Sequence, residues 1–203
     1  MSRKPATRTV TPGLAVIGLL VAVTAITGIL VCQSGALPGR SIGAVLRGDD
    51  GGQAAPDEGG LPNGVTVFAD EYPGVGNLAP DLIDALRAAA ADADDEGVEF
   101  YVTSGWRSRD YQNRLLREAI SKYGSTQAAA RWVATADTSA HVSGDAVDLD
   151  SGAAAWLSAH GADYGLCQIY RNEPWHYEFR SDAVEYGCPA LYPDPAHDPR
   201  MRQ

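Results

Sequence analysis

Between Asp81 and Tyr123 the spacing of apolar residues changes period twice. Leu82, Ala85, Leu86, Ala89 and Ala90 recur on one helical face and predict a helix over Asp81–Glu96. Val98, Phe100 and Val102 then alternate with Glu99, Tyr101 and Thr103, the period of a half-buried strand that Ser104-Gly105 ends. Arg109–Tyr123 returns to the helical period, with Leu115, Leu116, Ala119 and Ile120 inward and Gly124 as its stop. Downstream, the pattern predicts a short helix over Gln127–Ala134, a short strand over Val147–Leu149 and a helix over Ala153–His160. Two more strands, Cys167–Tyr170 and Trp175–Phe179, could pair as a hairpin. Helices ahead of strands predict an α+β fold, with helices packed on a small antiparallel sheet. Beyond Gly187 the chain is Pro-rich and reads as irregular.

The N-terminal region has a different pattern. Leu14–Val31 is 18 uncharged, mostly apolar residues, about 27 Å as a helix against a hydrocarbon layer of roughly 30 Å. Arg3, Lys4 and Arg8 precede it, which fits a cytoplasmic N-terminus. The favoured reading is a signal-anchor helix. A cleaved signal peptide, with Ser34-Gly35-Ala36 as the cleavage site, is disfavoured because the apolar run exceeds the usual 7–15 residues or so. A lipoprotein at Cys32 would need a small residue where Val31 stands, and an internal core helix is the remaining reading. Each export reading predicts that the rest of the chain lies outside the cytoplasm. Gln33–Gly60, rich in Gly, Ala, Pro and Asp, reads as a tether of about 30 Å root-mean-square span. The expected division is thus 1–32 membrane segment, 33–60 linker and 61–203 folded domain.

Charge narrows the function. The 203 residues carry 16 Lys+Arg and 26 Asp+Glu, a formal −10, and residues 33–203 hold all the acids against 13 basic residues. That field argues against nucleic acid as a partner. The acidic cluster Asp92, Asp94, Asp95 and Glu96 reads as a solvated helix end. A domain of some 140 residues buries enough surface to fold without a metal, so a metal in it would serve function. Cys167 and Cys188 both fall in the exported part and read as a disulfide, contributing about 3 kcal/mol in the chain-entropy model.

Two of the four histidines have company suited to chemistry. His141 lies in Ser139-Ala140-His141-Val142-Ser143-Gly144-Asp145-Ala146-Val147-Asp148, and His176 in Glu173-Pro174-Trp175-His176. The turn at Gly144 is expected to let His141, on a loop, face Asp148, on a strand. Two imidazoles and the Asp148 carboxylate make a plausible catalytic zinc shell with its fourth position left for water. Glu173 is placed to take a proton from that water. Asp145 and Asp150 compete with Asp148 for the carboxylate place, and spacing alone leaves an ordinary core or surface role open for each histidine. His160, near a helix C-terminus, reads as structural, and His197 as a solvated tail residue. Trp132 and Trp156 read as core, Trp106 and Trp175 as core or pocket wall.

These residues also carry a resemblance. Ser139–Asp148 fits S-x-H-x-x-G-x-A-x-D, and Glu173–His176 fits E-P-W-H, the two signatures of the zinc D-Ala-D-Ala peptidases of the VanY and VanX type. Ser104-Gly105-Trp106-Arg107-Ser108 with Gln112 matches a third element of the same pattern, S-G-aromatic-R-S plus a Gln. The similarity spans roughly 61–190. It implies that His141, Asp148 and His176 bind Zn2+, that Glu173 is the general base and then acid, and that Arg107 binds the substrate carboxylate or the developing oxyanion. Gln112 and Ser139 are implied as further substrate contacts. An anchor followed by one domain resembles VanY more than the cytoplasmic VanX type, so the implied substrate is a peptidoglycan stem peptide ending in D-Ala-D-Ala. An L,D-carboxypeptidase acting on tetrapeptide stems, a non-catalytic zinc-containing wall-binding module, and an amidase or endopeptidase are the competing readings.

Overall fold

A computed structural model describes residues 54–202. The 1–32 segment and most of the 33–60 stretch lie outside the described residues. Among the described residues, no helix is long and apolar enough to cross a membrane. The packed region includes Ala54–Gly60: Pro56–Glu58 forms a 3-10 turn, and Glu58 is held by two hydrogen bonds from Arg114, at 2.8 and 2.6 Å. Composition placed these residues in the tether, because a partner 56 residues away leaves no local trace.

The domain is α+β, as the patterning predicts. Helices α1 (Pro73–Gly76) and α2 (Pro80–Asp94) lead into strand β1 (Val102–Ser104), then helices α3 (Arg109–Tyr123), α4 (Thr126–Ala129) and α5 (Ala140–Ser143). Strand β2 (Ala146–Leu149), helix α6 (Ser151–His160), strands β3 (Leu166–Gln168) and β4 (His176–Phe179) and helix α7 (Ala183–Tyr186) follow. The four strands form one antiparallel sheet in the order β1-β2-β4-β3, so the expected β3–β4 pairing is present.

Helix α2 starts at Pro80, whose missing N–H costs nothing at the first helical position. Its buried stripe is Leu82, Leu86, Ala89, Ala90 and Ala93. Each buried leucine contributes about 1.5–3 kcal/mol relative to exposure. The acidic end of this helix is partnered as well as solvated: Glu96 accepts the Trp156 Nε1–H at 3.1 Å, and Asp92 accepts from the Tyr164 hydroxyl. Helix α3 runs over the predicted residues, with the Ser108 hydroxyl capping the Tyr111 N–H and Gly124 in the left-handed conformation at its end.

Three predictions need correction. Val98–Phe100 belongs to no strand; pairing starts with a single Thr66–Tyr101 bridge and β1 follows. The helix expected over Gln127–Ala134 is one turn at Thr126–Ala129, because the segment after it reaches the cleft described below. The residues around His141, expected as a loop, form α5.

The alternation of strand residues sorts the sheet into two faces. Val147, Leu149, Leu166 and Tyr177 belong to the main core with α2 and α6. Residues of opposite parity, Asp148, His176 and Glu178, belong to the other face, and they are buried there too. Cross-strand register puts Ser104 beside Asp148 and Asp148 beside His176, one row over three strands.

Candidate metal centre

His141, Asp148 and His176 converge, all buried, with donor atoms within 4.8 Å of one another. Asp148 and His176 meet because they are register partners on β2 and β4. His141 comes from α5, whose end depends on Gly144. That residue has φ 84°, and a Cβ there would lie 2.5 Å from the Asn77 carbonyl oxygen. The turn is pinned by Ala79 N–H to Gly144 O at 2.9 Å and Asp145 N–H to Ala140 O at 2.8 Å.

The rivals for the carboxylate place are eliminated by position. Asp150 caps α6, accepting the Gly152 and Ala153 N–H groups, and Asp145 is exposed. Asp148 directs Oδ1 at both imidazoles, 3.4 Å from His141 Nε2 and 3.1 Å from His176 Nδ1. Ligands at about 2.0–2.1 Å in a tetrahedral shell stand roughly 3.3 Å apart, which the two separations from Asp148 Oδ1 match.

The far nitrogen of each ring is also held. His141 Nδ1–H donates to the Gly105 carbonyl at 2.8 Å, leaving Nε2 as the inward lone pair. Gly105 is required by close approach: a Cβ would lie 1.9 Å from the Gly74 carbonyl oxygen. His176 Nε2–H donates to Glu178 Oε1 at 3.3 Å, leaving Nδ1 inward. Such partners fix ring orientation and tautomer at metal sites. Sequence reading missed Glu178; the signal was available, since it lies two residues after His176 on one strand face.

Arg107 joins the cluster. Its Nη2 donates to Asp148 Oδ2 at 2.8 Å, Nε to Ser104 Oγ at 2.8 Å and Nη1 to Gln112 Oε1 at 3.2 Å. Gln112, almost wholly buried, passes its other end to the Ala134 carbonyl at 2.9 Å. It lines the cleft, but both ends of its amide are held within the protein. Ser139 lines the cleft as well, and its side chain does not cap α5. Glu173 is buried with Oε2 4.0 Å from His176 Nδ1. Trp175 and Trp132 are on the cleft wall too. Trp132, read from sequence as core, is half-buried and stacks on Tyr123 at 5.9 Å, whereas Trp156 is core.

The electrostatics separate these groups. Burial opposes the charge on Asp148, but His141, His176 and Arg107 hold its carboxyl well below the usual range. Burial pushes Glu173 up to about 8, against the pull of His176. Burial alone would depress His176, yet hydrogen bonds to Asp148 and Glu178 carry it up to about 10. The two carboxylates favour a proton on this ring, so metal uptake at Nδ1 competes with protonation there. His141 is lowered by burial and by the Arg107 charge.

Away from the cleft, His160 stacks on Trp156 at 4.4 Å, and His197 is half-exposed and bonded to Asp194. Cys167 and Cys188 form the expected disulfide.

Two imidazoles and a carboxylate around one point, with a protonatable glutamate and an arginine alongside, define the class of site found in metal-dependent hydrolases. The D-alanyl-D-alanine carboxypeptidase family model named VanY matches residues 76–182, so the chain belongs to that family. A D-alanyl-D-alanine carboxypeptidase of Enterococcus faecalis (strain ATCC 700802 / V583) is 31% identical over 128 residues, 50% of this chain and 46% of that protein. The chain thus spans about half the length of this curated relative. Among solved structures, a mutant of the vancomycin resistance D,D-pentapeptidase VanY from a VanB-type cassette, in complex with Zn(II), is similar at 24% identity. Its TM-score is 0.49, with 55% of this chain and 80% of that chain covered. DacB from Streptococcus pneumoniae D39 is similar at 25% identity and TM-score 0.45, with 55% and 71% covered.

Proposed function

We propose that the chain is a zinc-dependent carboxypeptidase that removes the terminal D-Ala from peptidoglycan stem peptides ending in D-Ala-D-Ala. The observation that carries this reading is the convergence of His141, Asp148, His176, Glu173 and Arg107 on one cleft. His141 Nε2, Asp148 Oδ1 and His176 Nδ1 would hold the zinc ion. Zinc supplies Lewis acidity, activating water and polarising a carbonyl.

The protein side chains do the rest. Glu173, with its proton affinity raised towards neutrality, accepts the proton of the attacking water and returns it to the departing D-Ala amine. Arg107 is held by Ser104, Gln112 and Asp148 in bonds that use three of the five N–H donors of a guanidinium. The remaining donors suit the substrate carboxylate or the oxyanion that forms at the scissile carbonyl, a stabilisation worth about 3–4 kcal/mol. Gln112 positions Arg107, and Ser139 offers a hydroxyl to the peptide. In an acidic chain this one cation matters, because the substrate terminus is itself anionic.

The apolar Leu14–Val31 run and the Cys167–Cys188 bond both support a membrane-anchored domain facing outside the cytoplasm. The test is D-Ala release from a pentapeptide ending in D-Ala-D-Ala, by zinc-loaded wild type and by Glu173→Ala. Release by wild type alone is expected; release no greater than from the variant overturns the reading. A matched tetrapeptide with an L-configured penultimate residue, cleaved faster than the pentapeptide, would make the enzyme an L,D-carboxypeptidase instead.

A further inference from the structure

The family match ends at residue 182, yet the chain beyond it returns to the site. We propose that the C-terminal segment Asp194–Met201 is a working part of the metal centre, with Arg200 a positioning residue that holds His176 through Glu178. The proposal rests on the zinc carboxypeptidase reading given above.

Glu178 is wholly buried, and its Oε1 accepts from His176 Nε2. Arg200 grips both oxygens of that carboxylate, Nη1 to Oε2 at 2.7 Å and Nη2 to Oε1 at 3.2 Å. Arg180 bonds Oε2. A contact to one oxygen leaves a carboxylate free to turn about its last bond, whereas a two-pronged guanidinium fixes its plane. The plane of Glu178 in turn fixes the His176 ring, and with it the direction of the Nδ1 lone pair.

Arg200 is itself held. Asp198, fully buried, accepts from its Nε at 3.1 and 2.9 Å and also takes the Tyr170 hydroxyl at 3.0 Å. The Tyr170 ring lies 5.1 Å from that of His176, so the segment reaches this ligand by two routes. Its path to the site is fixed at three further points. Cys188 is bonded to Cys167, which is the register partner of Glu178. Tyr192 exchanges backbone hydrogen bonds with the 169–171 stretch, at 3.0 and 2.9 Å. Buried Asp194 accepts from Arg131 at 2.8 Å. Pro195 and Met201 then line the cleft. Removing the Glu178 and Asp198 carboxylates from water is costly, and an apolar plug would seal the fold equally well. The charges earn their place if they orient a ligand.

The test uses the full chain and the variants Arg200→Ala, Arg200→Lys, Glu178→Gln and Glu178→Gln/Arg200→Ala. Zinc affinity is measured by competition with a chromophoric chelator, the visible absorption of the Co(II)-loaded protein reports ligand geometry, and kcat and KM are taken separately. Arg200→Ala is expected to weaken zinc about tenfold, to change the cobalt spectrum, and to lower kcat more than it raises KM. Arg200→Lys restores part of the affinity, since it returns the charge without the fork. In the Glu178→Gln background, Arg200→Ala adds less than about twofold, because its route to the metal is already cut. Wild-type zinc affinity and cobalt spectrum in Arg200→Ala, or an undiminished effect in the Glu178→Gln background, overturn the proposal. If Arg200→Ala does not fold, Arg200→Lys decides: unchanged affinity and spectrum there sink it. Wild-type protein that binds no zinc or releases no D-Ala refutes the functional reading itself, however the variants compare.

Discussion

Glu173 and Glu178 flank His176 and are both buried, yet their surroundings drive them in opposite directions. Glu173 faces the cleft, and burial raises its proton affinity. Glu178 lies behind the ring. Burial would raise it too, but His176, Arg200 and Arg180 reverse the sign and keep it ionised. Burial therefore does not by itself decide the charge of a carboxylate; the partners placed around it do. On the proposed mechanism, the cleft side uses a group that gains and loses a proton near neutral pH, and the rear side a fixed anion that holds a ring.

The largest expected effect comes from the cleft side. Glu173→Ala should lower kcat for D-Ala release about 10²–10⁴-fold while zinc affinity stays within a few-fold, read by single-turnover kinetics and metal titration. A parallel loss of zinc would erase the contrast between the two glutamates. Arg107→Ala should lower kcat/KM about 10²–10³-fold, measured on the same pentapeptide, and metal removal by a chelator should abolish release until zinc is restored.

Next comes the rear side. Cys188→Ser frees the chain that carries Arg200 and should cost about 3 kcal/mol, read from the shift in urea unfolding of the metal-free domain. A smaller effect tests the raised Glu173. Between pH 4.5 and about 8 the folded metal-free protein holds a proton there that the unfolded chain has lost. Its contribution to stability must therefore fall as pH rises through that window. Glu173→Gln should flatten that part of the thermal-midpoint profile. Zinc affinity should move the other way, rising with pH, because the ion competes with a proton at His176. The smallest effect is at the surface: Asp137→Ala, which breaks an exposed pair with Arg109, should change unfolding stability by less than about 0.5 kcal/mol.

Legibility in the sequence followed the range of the interactions. Helix α3 was legible end to end because its apolar stripe and the Gly124 stop are both local. His141, Asp148, His176, Glu173 and Arg107 were legible as candidates because each sits in a short, chemically unusual run. Val98–Phe100 alternates like a paired strand, but alternation reports burial of one face and says nothing about a backbone partner. The turn that carries His141 was hidden because four residues are too few to show a period. Gln112 was legible as a site residue from its place after Arg107, whereas its buried bonds to Arg107 and Ala134 are visible only in the structure.

The order of residues along the chain determined the α+β class, the cysteine pair and the chemical types available for a metal and a proton. Those depend on periodicity and composition, which neighbouring residues express on their own. The three-dimensional packing decided which of three nearby aspartates faces the histidines, which nitrogen of each ring points inward, and that Glu178 and Arg200 stand behind His176. Those facts depend on strand register and on contacts between residues far apart in the chain, and such contacts exist only once the sheet has closed and water has been expelled from between its layers.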